Sequence, residues 1–207
     1  MMTIFRMLGP MGLLALCAAV GCERNERPAP TTGSPALTNA PADNPQPQTA
    51  TKRTPQELAV QAKEAMFNEL STQLVSAMSN GGPALAIEAC GKLAPKVAKE
   101  IGLKYDVSIG RTSARLRNSN NRTPEWAIPL PAEIPEKPIF KELVGGRTGA
   151  LFPITLKVQC LTCHGPEENI SADIRSELAR LYPNDKATGF HEGDLRGWFW
   201  VEVPADE

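Results

Sequence analysis

The stretch VQCLTCHGPE, Val158 to Glu167, carries two cysteines two residues apart, with a histidine directly after the second. Thiols and imidazole are the side chains that bind soft metals and take part in redox chemistry. Cys160, Cys163 and His164 could therefore belong to a zinc site, to a dithiol redox centre or to a covalently attached haem. The rest of the chain decides which of these chemistries is favoured.

A structural zinc site is the first alternative, and it requires four ligands. Outside the motif, and past the N-terminal segment discussed below, the soft candidates are Cys90 and His191. His164 directly follows Cys163, and adjacent residues rarely converge on one tetrahedral centre. The spacing therefore disfavours zinc.

A thioredoxin-like dithiol is the second alternative. It places its CxxC at the N-terminus of a helix, where the helix dipole lowers the thiol pKa. A β-rich run does precede Cys160, but Gly165-Pro166 follows almost at once and disfavours a helix that starts there. This interpretation also leaves His164 without a role.

Haem attachment, the third alternative, gives every residue of the motif a role. Thioethers from Cys160 and Cys163 would hold the macrocycle, and His164 would be the proximal axial ligand of the iron. C-x-x-C-H is the sequence pattern of c-type haem attachment. We therefore predict one covalent haem c.

The second axial ligand has four candidates in the chain beyond Cys22. Met66 and Met78 recur with other apolar residues at helical spacing, where methionine usually fills a core. His191 lies in GFHEGD, between glycines, and is expected to be a solvent-exposed loop residue. Cys90, in AIEACGKLAP, is either a small buried hydrophobe or the ligand; the residues alone leave this open.

The N-terminal segment predicts export. Arg6 precedes a short apolar run, residues 12–20, which is too short to span a bilayer, so residues 1–21 are interpreted as a signal peptide. Ala19-Val20-Gly21 before Cys22 resembles a bacterial lipobox, although Leu is usual where Ala19 stands. An ordinary secretory signal is the alternative. We expect lipidated Cys22 to anchor the protein on the periplasmic or cell-surface side of a bacterial membrane.

Residues 22–53 predict a disordered tether. They are rich in Pro, Ala, Thr, Asn and Gln, a composition that cannot bury a core and favours extended conformations. The net charge of −1 offers no basic excess for nucleic acid, so no nucleic-acid partner is expected.

Residues 54–207 predict one α+β domain with N-terminal helices and a central antiparallel sheet. TPQE at Thr54 is a capping box that opens a helix, and Asn80-Gly81-Gly82 should end it. A second helix should begin at Pro83, and Pro95 should start a third. A short helix is expected at SADIRSELARLY, and strands at KYDVSIGR, LFPITLKV and GWFWVEV.

Several segments together resemble a family of bacterial c-type haem proteins that is catalogued as a domain of unknown function. They are AIEACGKLAP, GRTSARLRNSNNRTPEW, CLTCHG and YPNDKATGFHEGDLRGWFWVEV, which span residues 86–203 in the family's order. The resemblance implies a PAS-like fold with a single haem, whose axial ligands would be His164 and Cys90. One departure is Arg117-Asn118-Ser119, where the family usually has RNP.

Arg111, Arg115 and Arg117 raise a further question, because haem propionates often take arginine partners. Alternation along a strand would put the three on one face, and a solvated basic face is the alternative interpretation. Arg117 is the propionate partner we predict.

These residues predict that the protein senses redox state or small gases, or transfers single electrons. Its partner would be a small gas or a redox protein. Two filled axial positions leave no open site, and release of Cys90 on reduction would open one. The alternatives are a haem enzyme with an open sixth position and a structural lipoprotein that binds no haem.

Overall fold

The computed structural model describes residues 53–205. The predicted signal peptide (1–21), lipidated Cys22 and nearly all of the predicted tether (22–53) lie outside this range. The helices are α1 (Pro55–Tyr105), α2 (Leu161–His164) and α3 (Ala172–Leu181), and the strands are β1 (Ser108–Thr112), β2 (Ile139–Glu142), β3 (Thr148–Thr155) and β4 (Leu195–Val203). Within residues 53–205, no helix has the length and apolarity needed to cross a membrane.

Helix α1 begins at the predicted capping box. The Thr54 hydroxyl accepts a hydrogen bond from the Glu57 amide at 3.2 Å, and the Glu57 carboxylate accepts one from the Thr54 amide at 2.8 Å. Pro55 stands at the first helical position, where its missing N–H costs nothing. The start of the domain helix is therefore confirmed.

Helix α1 doubles back on itself at Gly81 and Gly82. A straight helix would separate Ala59 from Val97 by about 57 Å, yet both belong to one buried cluster. Gly81 (φ −157°, ψ 16°) and Gly82 (φ 67°, ψ −163°) leave the helical conformation and reverse the chain. The predicted break is confirmed, and it divides α1 into a first arm (55–80) and a second arm (83–105).

The predicted break at Pro95 is wrong, because the second arm continues through it. Proline removes one backbone hydrogen bond from a helix interior. Here Ala94 and Val97, on either side, are buried against the core and stabilise the helical path. Burial of these neighbours therefore outweighs the local cost of the proline.

The four strands described form an antiparallel sheet in the order β1-β4-β3-β2. This confirms an α+β domain with an antiparallel sheet. The sheet face that packs on the arms of α1 carries Ile109, Ala150, Phe152, Phe199, Val201 and Val203. The opposite face buries Trp198 beside Ala127 and Leu151, as expected for aromatic packing in the last strand. Strand β2 was not predicted.

Candidate functional site

The cysteine motif forms a tight turn just after β3. A 3-10 turn, Val158–Cys160, leads directly into the four residues of α2, and the Gly165 amide closes the turn on the Leu161 carbonyl at 2.9 Å. Cys160 packs beside buried Leu156, Ala187 and Phe190. All three cysteines within residues 53–205 are free thiols. The motif therefore presents two unpaired sulfurs and an imidazole on consecutive turns.

His164 is held in one tautomer. Its Nδ1 lies 2.6 Å from the carbonyl oxygen of Ala187. A carbonyl can only accept, so Nδ1 carries the proton and Nε2 keeps a free lone pair. Burial, followed by the positive charges of Arg117 and Arg196, lowers the pKa of His164 to about 3. The ring therefore stays neutral, with the tautomer and second partner typical of a metal-bound histidine.

Cys90 lies on the second arm and faces the motif. Ile87, one turn earlier, shares an apolar cluster with Cys163. The Cys90 side chain is exposed to solvent, yet protein surrounds most of it, and this desolvation raises its pKa against the opposing charges of Arg111 and Arg117. Burial raises the pKa of Cys163, and the negative charge of a Cys90 thiolate would raise it further. Cys90 is thus an accessible but partly desolvated thiol.

Tyr182, at the C-terminal end of α3, ties the second arm to the motif. Its hydroxyl donates to the Ile87 carbonyl at 3.3 Å. The approach is so close that a Cβ at Gly91 would lie 2.5 Å from that hydroxyl. Glycine at position 91 therefore allows Tyr182 to pack beside Cys90.

Arg117 ties the motif to the loop that follows α3. Its guanidinium forms an ion pair with Asp185 at 2.8 Å, and it donates to the Cys163 carbonyl at 2.5 Å and the Ala187 carbonyl at 3.3 Å. Asp185 in turn accepts from the Ala187 amide at 2.7 Å. The guanidinium predicted to bind a propionate thus holds the backbone around His164.

The predicted alternation of Arg111, Arg115 and Arg117 along one strand is wrong. Strand β1 ends at Thr112, so Arg111 alone lies in it. Arg115 turns back to the loop after α3, where it donates to the carbonyls of Lys186 and Thr188. The Ser113 hydroxyl donates to the Arg196 carbonyl on β4 at 2.7 Å, which fixes the turn where the chain leaves the sheet.

A family profile with the description Tll0287-like matches residues 46–204, most of the chain and nearly all of the part described. The chain belongs to the Tll0287-like family. Among solved structures it is similar to the crystal structure of the cyanobacterial heme-protein Tll0287, with 24% identity, a TM-score of 0.52, and coverage of 75% of this chain and 99% of that one. This likeness shows a shared fold. A comparison with curated proteins gave no significant match.

The other three ligand candidates of this Tll0287-like chain are Met66, Met78 and His191. Met66 is 1% exposed and fills the core between α1 and the sheet, whereas Met78 is an exposed residue of the first arm. His191 is an exposed loop residue, and its Nδ1 lies 3.7 Å from Oδ2 of Asp194. Within residues 53–205, no group of three or more His, Cys, Asp or Glu side chains is arranged to hold a metal ion.

Proposed function

We propose that this Tll0287-like protein binds one haem c through Cys160 and Cys163, with His164 and Cys90 as axial ligands. The observation that carries the proposal is the fixed tautomer of His164, whose free Nε2 directly follows the second thiol of a CxxC turn. The structural neighbour is itself a heme-protein, which supports the same cofactor. We also propose that the fold is PAS-like.

The residues of the site fit a covalently bound haem. Cys160 and Cys163 would each add their S–H bond across one vinyl group. Each sulfur then forms an S–C bond, and its hydrogen passes to the other vinyl carbon, so no oxidant is needed. Both thiols are free and half-buried on successive turns, as this addition requires. The carbonyl of Ala187 and the guanidinium of Arg117 hold the motif in place.

The second arm would supply the opposite ligand. Cys90 is an accessible thiol, and the Tyr182 contact fixes the second arm beside α3. Buried Met66 cannot reach an iron without unfolding the core, and His191 points into solvent. Bound haem supplies one-electron redox chemistry at its iron, with a potential that depends on the axial ligands and burial.

We infer single-electron transfer or redox or gas sensing as the activity, because axial binding by both Cys90 and His164 leaves no open position for a substrate. Release of Cys90 on reduction would favour sensing, and retention would favour electron transfer. We also propose that the protein is exported and anchored through lipidated Cys22. Radiolabelled palmitate should then label the wild type and not Cys22→Ser, and equal labelling would refute the anchor.

The test is haem attachment and ligation in the full chain, produced with c-type haem maturation machinery. Covalent haem should survive a denaturing gel in the wild type and be lost in the Cys160→Ser/Cys163→Ser variant. The ferric electron paramagnetic resonance spectrum should be low-spin with thiolate ligation. It should lose that signal in Cys90→Ala and keep it in the control His191→Ala. A high-spin wild type would instead support an open-site enzyme.

A further inference from the structure

Arg111 differs from the other arginines around the motif in where its side chain lies. It is on β1, opposite Phe199 of β4, and strand alternation puts it on the same sheet face as Ile109 and Phe199. That face packs against the arms of α1. Arg111 is therefore directed toward the arm that carries Cys90, and its side chain is half-buried there.

Arg111 also differs in having no partner. Arg115, Arg117 and Arg196 each donate hydrogen bonds to identified oxygens. Within residues 53–205, Arg111 forms neither a side-chain hydrogen bond nor an ion pair. The groups whose charge would favour its cation are Cys90 and Tyr182, which are uncharged in their protonated forms. The side chain of Arg111 is half-buried, and a partly desolvated guanidinium gains from an accompanying anion.

The charges around this side chain leave an excess of cations. Burial and the neighbouring Arg117 and Arg111 lower the pKa of Arg196 to about 10. The carboxylate that opposes this effect is Asp185, which is already paired with Arg117. Arg196 lies over the ring of Phe190, whose backbone amide donates to the His164 carbonyl, and within residues 53–205 neither Arg196 nor Arg111 is paired with a carboxylate. Two carboxylates would balance these two cations and form charge-assisted hydrogen bonds.

We propose that Arg111 and Arg196 bind the carboxylates of the haem propionates, and that Arg117 is a positioning residue for the motif. This inference rests on the proposed haem c. Arg111 and Arg196 thus take the role that the sequence analysis predicted for Arg117.

The matured full chain offers a direct test. Resonance Raman spectroscopy of the ferric protein detects the propionate bending band, which shifts when a hydrogen-bond donor to the carboxylate is lost. Arg111→Gln should shift the band, and Arg111→Lys should shift it less, because lysine still donates to a carboxylate. The control Arg122→Gln, which changes an exposed arginine of the same segment, should leave the band in place.

A second measurement covers the case in which Arg111→Gln fails to fold. A dicarbonyl arginine reagent, followed by mass spectrometry, should modify Arg111 in the haem-free Cys160→Ser/Cys163→Ser protein and not in the matured wild type. Equal modification in both would overturn the inference.

The outcomes separate the two proposals. Attached haem with an unchanged band in Arg111→Gln refutes this inference alone. An altered thiolate resonance signal with an unchanged band would also refute it, because Arg111 would then act on Cys90. A wild type that carries no covalent haem after maturation refutes both.

Discussion

Gly91 and Tyr182 offer the sharpest test of how the second arm is held beside the motif. Gly91→Ala would place a methyl group 2.5 Å from the Tyr182 hydroxyl, whereas ordinary contact begins at 3.4 Å. The hydroxyl must therefore move by about 1 Å, and its 3.3 Å hydrogen bond to Ile87 is then lost. Overpacking of this kind costs about 1–3 kcal/mol.

The same substitution has a favourable component that makes the sign of its effect depend on Tyr182. Alanine is better than glycine in a helix interior by about 1 kcal/mol. In Tyr182→Phe the hydroxyl is gone, and the nearest ring atom, Cζ, lies at an acceptable 3.5 Å from the new methyl. Gly91→Ala should therefore destabilise the wild type by up to about 2 kcal/mol, after the helix gain is subtracted from the overpacking cost, and stabilise Tyr182→Phe by about 1 kcal/mol.

Urea denaturation of the four proteins of this cycle, followed by far-ultraviolet circular dichroism, measures the coupling directly. We expect an interaction free energy of about 2 kcal/mol between the two positions, within the range for residues in contact. If Gly91→Ala has the same effect with tyrosine or phenylalanine at position 182, the close contact does not hold the arm, and the reasoning is wrong.

Three further perturbations test the supports of the site and of the domain. Arg117→Gln should lower the free energy of unfolding by about 3 kcal/mol because it leaves the nearly buried carboxylate of Asp185 without its cation. The control Arg180→Gln, which removes an exposed ion pair, should have a much smaller effect, and equal losses in urea denaturation would contradict this. His164 has a folded pKa of about 3, below its ordinary 6.5, so the unfolded state binds the extra proton between these values. The haem-free protein should lose stability as the pH falls from 6.5 toward 3, at up to about 1.4 kcal/mol per pH unit from this group, and His164→Gln should remove that component from the pH profile. Thr54→Ala should cost about 1 kcal/mol in thermal or urea unfolding, whereas Ser171→Ala, at a helix start without a side-chain cap bond, should be nearly neutral.

Features that depend on neighbouring residues were readable from the sequence. The capping box at Thr54 and the helix end at Gly81-Gly82 each rest on a few adjacent residues. The expectation that Gly165-Pro166 disfavours a helix starting at Cys160 was wrong, because the four residues of α2 fit between Cys160 and Gly165. The break at Pro95 was wrong because burial of the flanking residues, which a local pattern does not contain, offsets the lost hydrogen bond. Strand β2 was missed because it is four residues long and largely exposed, without clear alternation.

The contacts that position the candidate site come from distant parts of the chain. The partner of His164 is the backbone carbonyl of Ala187, and any residue type supplies a carbonyl. Arg117 reaches Asp185, 68 positions away, because the chain leaves the sheet after Thr112 and returns beside the loop after α3. Only the segment YPNDKATGF, through its resemblance to the family, indicated that this loop mattered at all.

The position of β4 has a consequence for how the molecule is made. It is the last of the described strands along the chain, yet it lies inside the sheet between β1 and β3. β1 has no partner other than β4 among the described strands, so this edge cannot form until residues 195–203 have been synthesised. Such long-range pairing slows folding, whereas the helical hairpin of α1 relies on contacts nearer in sequence. A chain lengthening from its N-terminus would thus stay without its complete sheet until β4 emerges.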